Sequence, residues 1–277
     1  MRPTAILALL TLTAPAPLVA QGIVLPVRCA RECPARGAIL LDSVKVWANL
    51  QRGRAATYVD HVVRNATADT VEGAFFFPVP AGAEVDRVWV RKGSELELYN
   101  EWTRPEEARL LLDGFARSRP RAGLGAYAGA RVVHVRVPPM APGEVKHLQV
   151  AFDQPLRPVR GAVTWRYPLS TAAAVSPIGH LDLGLEVRTP AGFVDLRSPS
   201  HRVRTQLGME SGRCGPRERC GTRGYPSRRV RVVRLEHAPG VRRRDFELVY
   251  TPADSTAATA ARSWIVEPLD IREPVRP

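Results

Sequence analysis

Beyond residue 20 the chain has no run approaching 18 consecutive apolar residues, which excludes a membrane-spanning helix from the remainder. It also lacks the short signatures of common catalytic sites. There is no Gly-x-Ser-x-Gly elbow, no His-Glu-x-x-His and no Gly-Lys-Ser/Thr loop, so serine-hydrolase, zincin and P-loop chemistries have no anchor. The glycines of "GLGAYAG" at 123–129 miss the dinucleotide spacing and read as a loop. Six histidines are scattered; His61, His134 and His147 fall in strand-like runs and are read as polar, outward-facing side chains. From these absences the chain is expected to be no enzyme and to use no cofactor or metal.

Cysteine is scarce but patterned. Cys29 and Cys33 stand in "CARECP", Cys214 and Cys220 in "CGPRERC". Neither pair has the two-residue spacing of a zinc knuckle, and no histidine pair stands nearby. Disulfides are the expectation, with all three connectivities of four cysteines open. That fits the first 20 residues, "MRPTAILALLTLTAPAPLVA", where Arg2 precedes a short apolar stretch and Leu-Val-Ala forms a small-residue cleavage pattern before Gln21. Pro15 and Pro17 interrupt the stretch, so it is read as a secretory leader rather than an anchor. The mature protein is expected to be secreted or periplasmic, at the cell envelope.

What is present is strand. "SVKVWANL" (43–50) puts Val44, Val46, Ala48 and Leu50 on one face, and "ATYVDHVVRN" follows as its hairpin partner through "QRGR". "DRVWV" turns at Lys92-Gly93 into "ELELY"; "RVVHVRV", "EVKHLQVAF" after the turn "APGE", and "AVTWRY" continue the series. In "VEGAFFFPVPAGAEV" (71–85), Val71, Phe75 and Phe77 share one face of a strand and Phe76 takes the other, so both faces need cover. Pro78 and Pro80 end the pairing and send the chain out towards Gly82. One helix interrupts the strands, in "TRPEEARLLLDGFARSR": Thr103 and Glu106 have capping-box spacing, Pro105 falls in the first turn, and Leu111, Leu112 and Phe115 are expected to share the face that covers the core.

Glu72, Phe75, Phe77, Pro78, Pro80, Gly82, Ala83 and Val85 together resemble the signature run of the VIT domain (vault protein inter-alpha-trypsin domain). "EEAR" at 106–109, "VPPMAPGE" at 137–144, "FDQPL" at 152–156 and "WRYPLS" at 165–170 are similar to its later motifs, in order. "SPSH" at 198–201 and "RDFEL" at 244–248 resemble the β-rich stretch that follows it in relatives. Val79, Leu112 and Phe152 depart from the usual Leu, Tyr and Tyr. The chain ends without an Asp-x-Ser-x-Ser metal motif, so the adhesion chemistry of the usual following von Willebrand type A domain is not carried over. The resemblance implies a mainly β chain: an antiparallel β-sandwich-like VIT domain with one covering helix, followed by a further β-rich segment. The organisation read from the sequence is a leader (1–20), a cysteine-containing segment (21–41), the VIT-like domain (42–170), an arginine-rich β segment packed on or continuing it (171–252) and a tail (253–277).

The surface is strongly basic, at net +13, and only Lys45, Lys92 and Lys146 are lysines. Between Arg197 and Arg244 fourteen arginines face three acids, so the excess is concentrated late. Arg228, Arg229, Arg231, Arg234, Arg242, Arg243 and Arg244 form the candidate surface for a partner or a polyanion. No aromatic interleaving in these runs supports base stacking. The expected function is protein–protein interaction outside the cytoplasm, with an unidentified extracytoplasmic protein as partner. The alternative is a surface for an anionic polymer: glycan, lipid head group or nucleic acid.

Overall fold

A computed structural model describes residues 22–29, 37–92, 95–98, 103, 105–118, 131–169, 178–210, 225–236 and 245–254. The strands are β1 (Ile23–Cys29), β2 (Ile39–Gln51), β3 (Arg54–Asn65), β4 (Val71–Pro78), β5 (Glu84–Lys92), β6 (Glu95–Leu98), β7 (Val132–Met140), β8 (Val145–Pro155), β9 (Val163–Tyr167), β10 (Ile178–Arg188), β11 (Phe193–Arg197), β12 (Val203–Glu210), β13 (Tyr225–Leu235) and β14 (Phe246–Pro252). The helix α1 (Pro105–Ser118) lies between β6 and β7. Eight strands form one long sheet in the order β12-β13-β10-β2-β3-β8-β5-β6, and two three-stranded sheets, β1-β4-β7 and β11-β14-β9, complete the fold. All three sheets feed one continuous apolar cluster, so the fold is mainly β and sandwich-like.

The β2–β3 hairpin follows from the pattern that the sequence shows. Val44, Val46, Ala48 and Leu50 are buried, and opposite them alternate residues of β3 from Ala55 to Asn65 are buried too. Its two-residue turn places Arg52 at φ 51° and Gly53 at φ 73°, the left-handed pair that matches strand twist. At the far end Asn65 is fully buried. Its amide donates to the carbonyls of Asp69, Met140 and Ala141, and its side-chain oxygen accepts from Thr67 N at 2.9 Å. One side chain thereby ties the loop after β3 to the Pro-Gly-Glu turn between β7 and β8, where Gly143 adopts φ 72°.

Every residue of β4 is buried. Phe75 and Phe77 enter the main core, Phe77 lying 5.8 Å from Phe152 of β8. Phe76 points the other way into a smaller cluster with Ile23, Leu25, Ala108, Leu112 and Val132, so α1 supplies its cover. The strand ends at Pro78, and Ala83 N returns to Pro80 O at 3.0 Å around Gly82, at φ 74°.

Two details of the helix differ from expectation. The buried face is Ala108 and Leu112 with Phe115 packed beside them, an i, i+4, i+7 stripe, while Leu111 is 43% exposed because one residue along a helix turns it about 100° away. The Thr103 hydroxyl meets His134 Nδ1 at 3.0 Å, so it ties the helix entry to β7 rather than closing a capping box.

His61 is the larger correction. It is fully buried, on the core face of β3 between Val59 and Val63. Its Nδ1 meets Leu148 O at 3.1 Å, and Gly22 N–H donates to Nε2 at 3.4 Å. Both ring nitrogens are satisfied, which is what permits a neutral imidazole in an apolar core.

The strands after residue 177 are interlocked with the earlier ones. β10 pairs with β2 in parallel, the one parallel pairing among the described strands, and brings β13 and β12 into the long sheet. β14 pairs with β9, and Glu247 N donates to Ser200 Oγ at 2.8 Å while His201 stacks on Phe246 at 5.6 Å. The "SPSH" turn is thus seated on the "DFEL" strand.

Candidate binding face

A strand with one face in the core must present its alternate residues on the other. For the long sheet these are Lys45, Trp47 and Asn49 of β2, Tyr58, Asp60 and Val62 of β3, Arg87, Trp89 and Arg91 of β5, with His147 and Gln149 of β8 between. None of the described elements forms a layer over this face; α1 packs on β7 instead. Trp47 and Tyr58 are direct cross-strand partners, and the Tyr58 ring reaches across β8 to within 6.3 Å of Trp89. Small residues make this possible: Ala151 is the β8 partner of Tyr58, and Gly184 of β10 lies beside Trp47. A Cβ on Gly184 would stand 2.6 Å from Trp47 Cζ3, so the indole needs a glycine there. At the two ends of the strip a guanidinium lies over a ring, Arg234 at 5.3 Å from Trp47 and Arg87 at 5.9 Å from Trp89. Each such contact contributes about 0.5–1 kcal/mol at an exposed site.

The electrostatics are those of a mixed face. His147 Nδ1 lies 3.0 Å from Asp60, which fixes the ring's orientation. Burial, reinforced by the Asp60 charge, pushes the Tyr58 phenol well above its ordinary range although Arg91 opposes it, so Tyr58 stays a neutral hydroxyl. Burial likewise raises Asp153 against the pull of Arg54 at 2.9 Å. Among the described residues His147 hydrogen-bonds only to Asp60, and no group of three or more His, Cys, Asp or Glu is gathered as a metal would require. A half-buried aromatic strip bracketed by arginines can bind; Trp, Tyr and Arg are the residues that dominate binding energy at interfaces.

The residues singled out from the sequence fall elsewhere or only partly here. Cys29 is half-buried at the end of β1 and is not a free thiol; Cys33, Cys214 and Cys220 lie outside the described residues. Arg242, Arg243 and Arg244 also lie outside them. The remaining four arginines do not form one surface. Arg228 and Arg229 are exposed near the start of β13, whereas Arg231 pairs across from Val187, shares the side of buried Val233 and lies 5.4 Å over Phe193. Arg234, opposite Gly184, takes the outer side over Trp47. The aromatic strip was missed because Trp47, Tyr58 and Trp89 come from three separated segments. The signal was available in each: an aromatic at a position out of phase with the buried alternation.

No family model matches the chain, and no curated protein matches it. Among solved structures, a protein from Legionella pneumophila, provisionally described as nutrient binding, is similar at a TM-score of 0.43 and 14% identity, over 85% of this chain and 73% of that one. That likeness carries no statement about this chain's fold or function.

Proposed function

We propose that this is an exported, non-enzymatic interaction module of VIT-like type, which docks a separate extracytoplasmic polypeptide on the outer face of its eight-stranded sheet. The observation that carries the reading is the strip Trp47–Tyr58–Trp89 with Arg234 and Arg87 at its ends. Large aromatics half-buried on an uncovered sheet face supply contact area at small entropic cost, and flanking guanidiniums supply directional polar contacts. The leader-like first 20 residues and the paired cysteines support docking outside the cytoplasm, and the VIT-like motifs support the interaction-module reading.

Capture from envelope and culture fractions tests it. The wild-type chain should retain a polypeptide at high salt, and Trp47→Ala with Trp89→Ala should release it while lowering stability by only about 1–3 kcal/mol, with the chain still folded under capture conditions. Retention unaffected by both substitutions would sink the reading.

The second reading is a polyanion surface. It is supported by Arg204 and Arg234, which are direct partners across β12 and β13, with Arg228 and Arg229 exposed on the same strand. Recovery of an anionic polymer alone, lost at high salt, would favour it, because phosphate or sulfate contacts fade steeply with ionic strength.

A further inference from the structure

On the docking face Arg91 is a half-buried cation that has no counter-charge among the described residues. Asp153 and Asp182 pair with Arg54 and Arg234 at 2.9 and 3.4 Å, and Asp60 meets His147 Nδ1 at 3.0 Å. Arg91, half-buried beside Trp89 and opposite His147, makes no ion pair and no side-chain hydrogen bond among the described residues. Its Nε is shielded from solvent and unbonded, so the guanidinium has lost part of its hydration with nothing in return. Only the Nη end remains to be answered. Resting on the docking reading above, we infer that the partner presents a carboxylate, from an Asp or Glu of its own chain, to Arg91 between Trp89 and His147.

Three properties of the place favour this over a phosphate or sulfate polymer. A planar guanidinium takes a carboxylate through two parallel hydrogen bonds, and its partial desolvation makes that exchange more favourable than at a fully hydrated arginine. Arg91 Nε is already shielded from solvent, as groups at the centre of an interface hot spot are. Arg54 and Arg234 are already engaged by Asp153 and Asp182, so Arg91 offers a single free guanidinium, which suits one carboxylate better than the repeated charges of a polymer.

The test uses the mature chain and two probes, the acetylated and amidated pentapeptides Ala-Ala-Glu-Ala-Ala and Ala-Ala-Gln-Ala-Ala, followed by NMR at the Arg91 Nε–H and Trp89 indole N–H signals. The glutamate peptide should shift both signals with saturation in the millimolar range, and the glutamine peptide should need about tenfold more or fail. Arg91→Gln should abolish the difference between peptides, Arg91→Lys should restore part of it, and the substitution Arg157→Gln, at an exposed arginine after β8, should leave it intact. Polyphosphate is the competing arm: if it shifts the Arg91 signal at lower monomer concentration than the glutamate peptide does, a phosphate polymer is the ligand and the inference fails. Equal response to both peptides overturns it as well. Loss of the captured polypeptide in the tryptophan variants, with none in Arg91→Gln, would leave the docking face standing and remove the carboxylate.

Discussion

Gly22 donates its backbone N–H to Nε2 of His61 at 3.4 Å, so the first described residue of the chain is anchored on a histidine in the middle of the core. Burial pushes this imidazole down to about 4 from 6.5; the bond to Leu148 O and the charge of Asp60 oppose the shift without cancelling it. Protonation would put a second donor in front of the Gly22 N–H and a charge between Phe75 and Phe77, whose rings lie 5.1 and 5.9 Å away.

The pH dependence follows from that shift. Between pH 6.5 and about 4 the unfolded chain carries a proton on His61 that the folded chain refuses, so the unfolded state binds more protons there. This contribution to stability is whole above about pH 6.5 and falls as pH drops towards 4, by roughly 3 kcal/mol. Denaturant midpoints across pH 4 to 7 measure it. His61→Gln should flatten the curve in that window; an unchanged slope in the variant would assign the acid sensitivity to other groups.

The three phenylalanines of β4 should cost similar amounts for different reasons. Phe75→Ala and Phe77→Ala empty the main core and should lower stability by about 3–5 kcal/mol. Phe76 is as fully buried, under Leu112 and 5.8 Å from Phe115, so Phe76→Ala belongs in the same range rather than below it. Amide exchange separates the sites: the Phe76 variant should expose α1 first, whereas the other two should weaken the sheets. Wild-type midpoints for all three would mean that the run is a docking ridge and not scaffold.

Much of this architecture was legible because it is periodic. Val44, Val46, Ala48 and Leu50 announce the inner face of β2 by simple alternation, and the Arg52–Gly53 turn announces its hairpin. His61 was misread because residue type was weighed over phase. It stands between Val59 and Val63 on the buried side, and the groups that satisfy it, Gly22 and Leu148, are 39 and 87 residues away. The parallel joining of β10 to β2, and with it the meeting of Trp47, Gly184 and Arg234, is equally non-local. That Arg231 and Arg234 take opposite sides of β13 was readable from their odd spacing in "RRVRVVR"; which of the two sides faces the core was not, because it depends on the distant pairing of β13 with β10.

Export and oxidation make a further prediction. The mature chain should begin near Gln21 and contain no free thiol, so that Cys29, Cys33, Cys214 and Cys220 react with an alkylating reagent only after reduction. Intact mass before and after reduction reads both parts. An amino terminus still carrying the leader, or four cysteines alkylated without reductant, would count against an oxidising compartment.

Two glycine substitutions should separate the binding face from the fold. At Gly184 a Cβ would meet Trp47 at 2.6 and 2.8 Å and Arg234 Nη1 at 3.3 Å, all side-chain atoms on the uncovered face, which can swing outward. At Gly179, also on β10, the obstacle is the carbonyl oxygen of Asp42, a backbone atom of the paired strand β2 that cannot move without disturbing the sheet. Gly179→Ala should therefore cost about 1–3 kcal/mol, while Gly184→Ala should change stability by under about 1 kcal/mol. The second variant should nonetheless displace the Trp47 ring and its Arg234 partner, altering near-UV circular dichroism and weakening capture of the partner polypeptide. Thermal melts alongside capture decide the matter: a Gly184→Ala chain that folds normally and still captures its partner fully would remove Trp47 from the docking face.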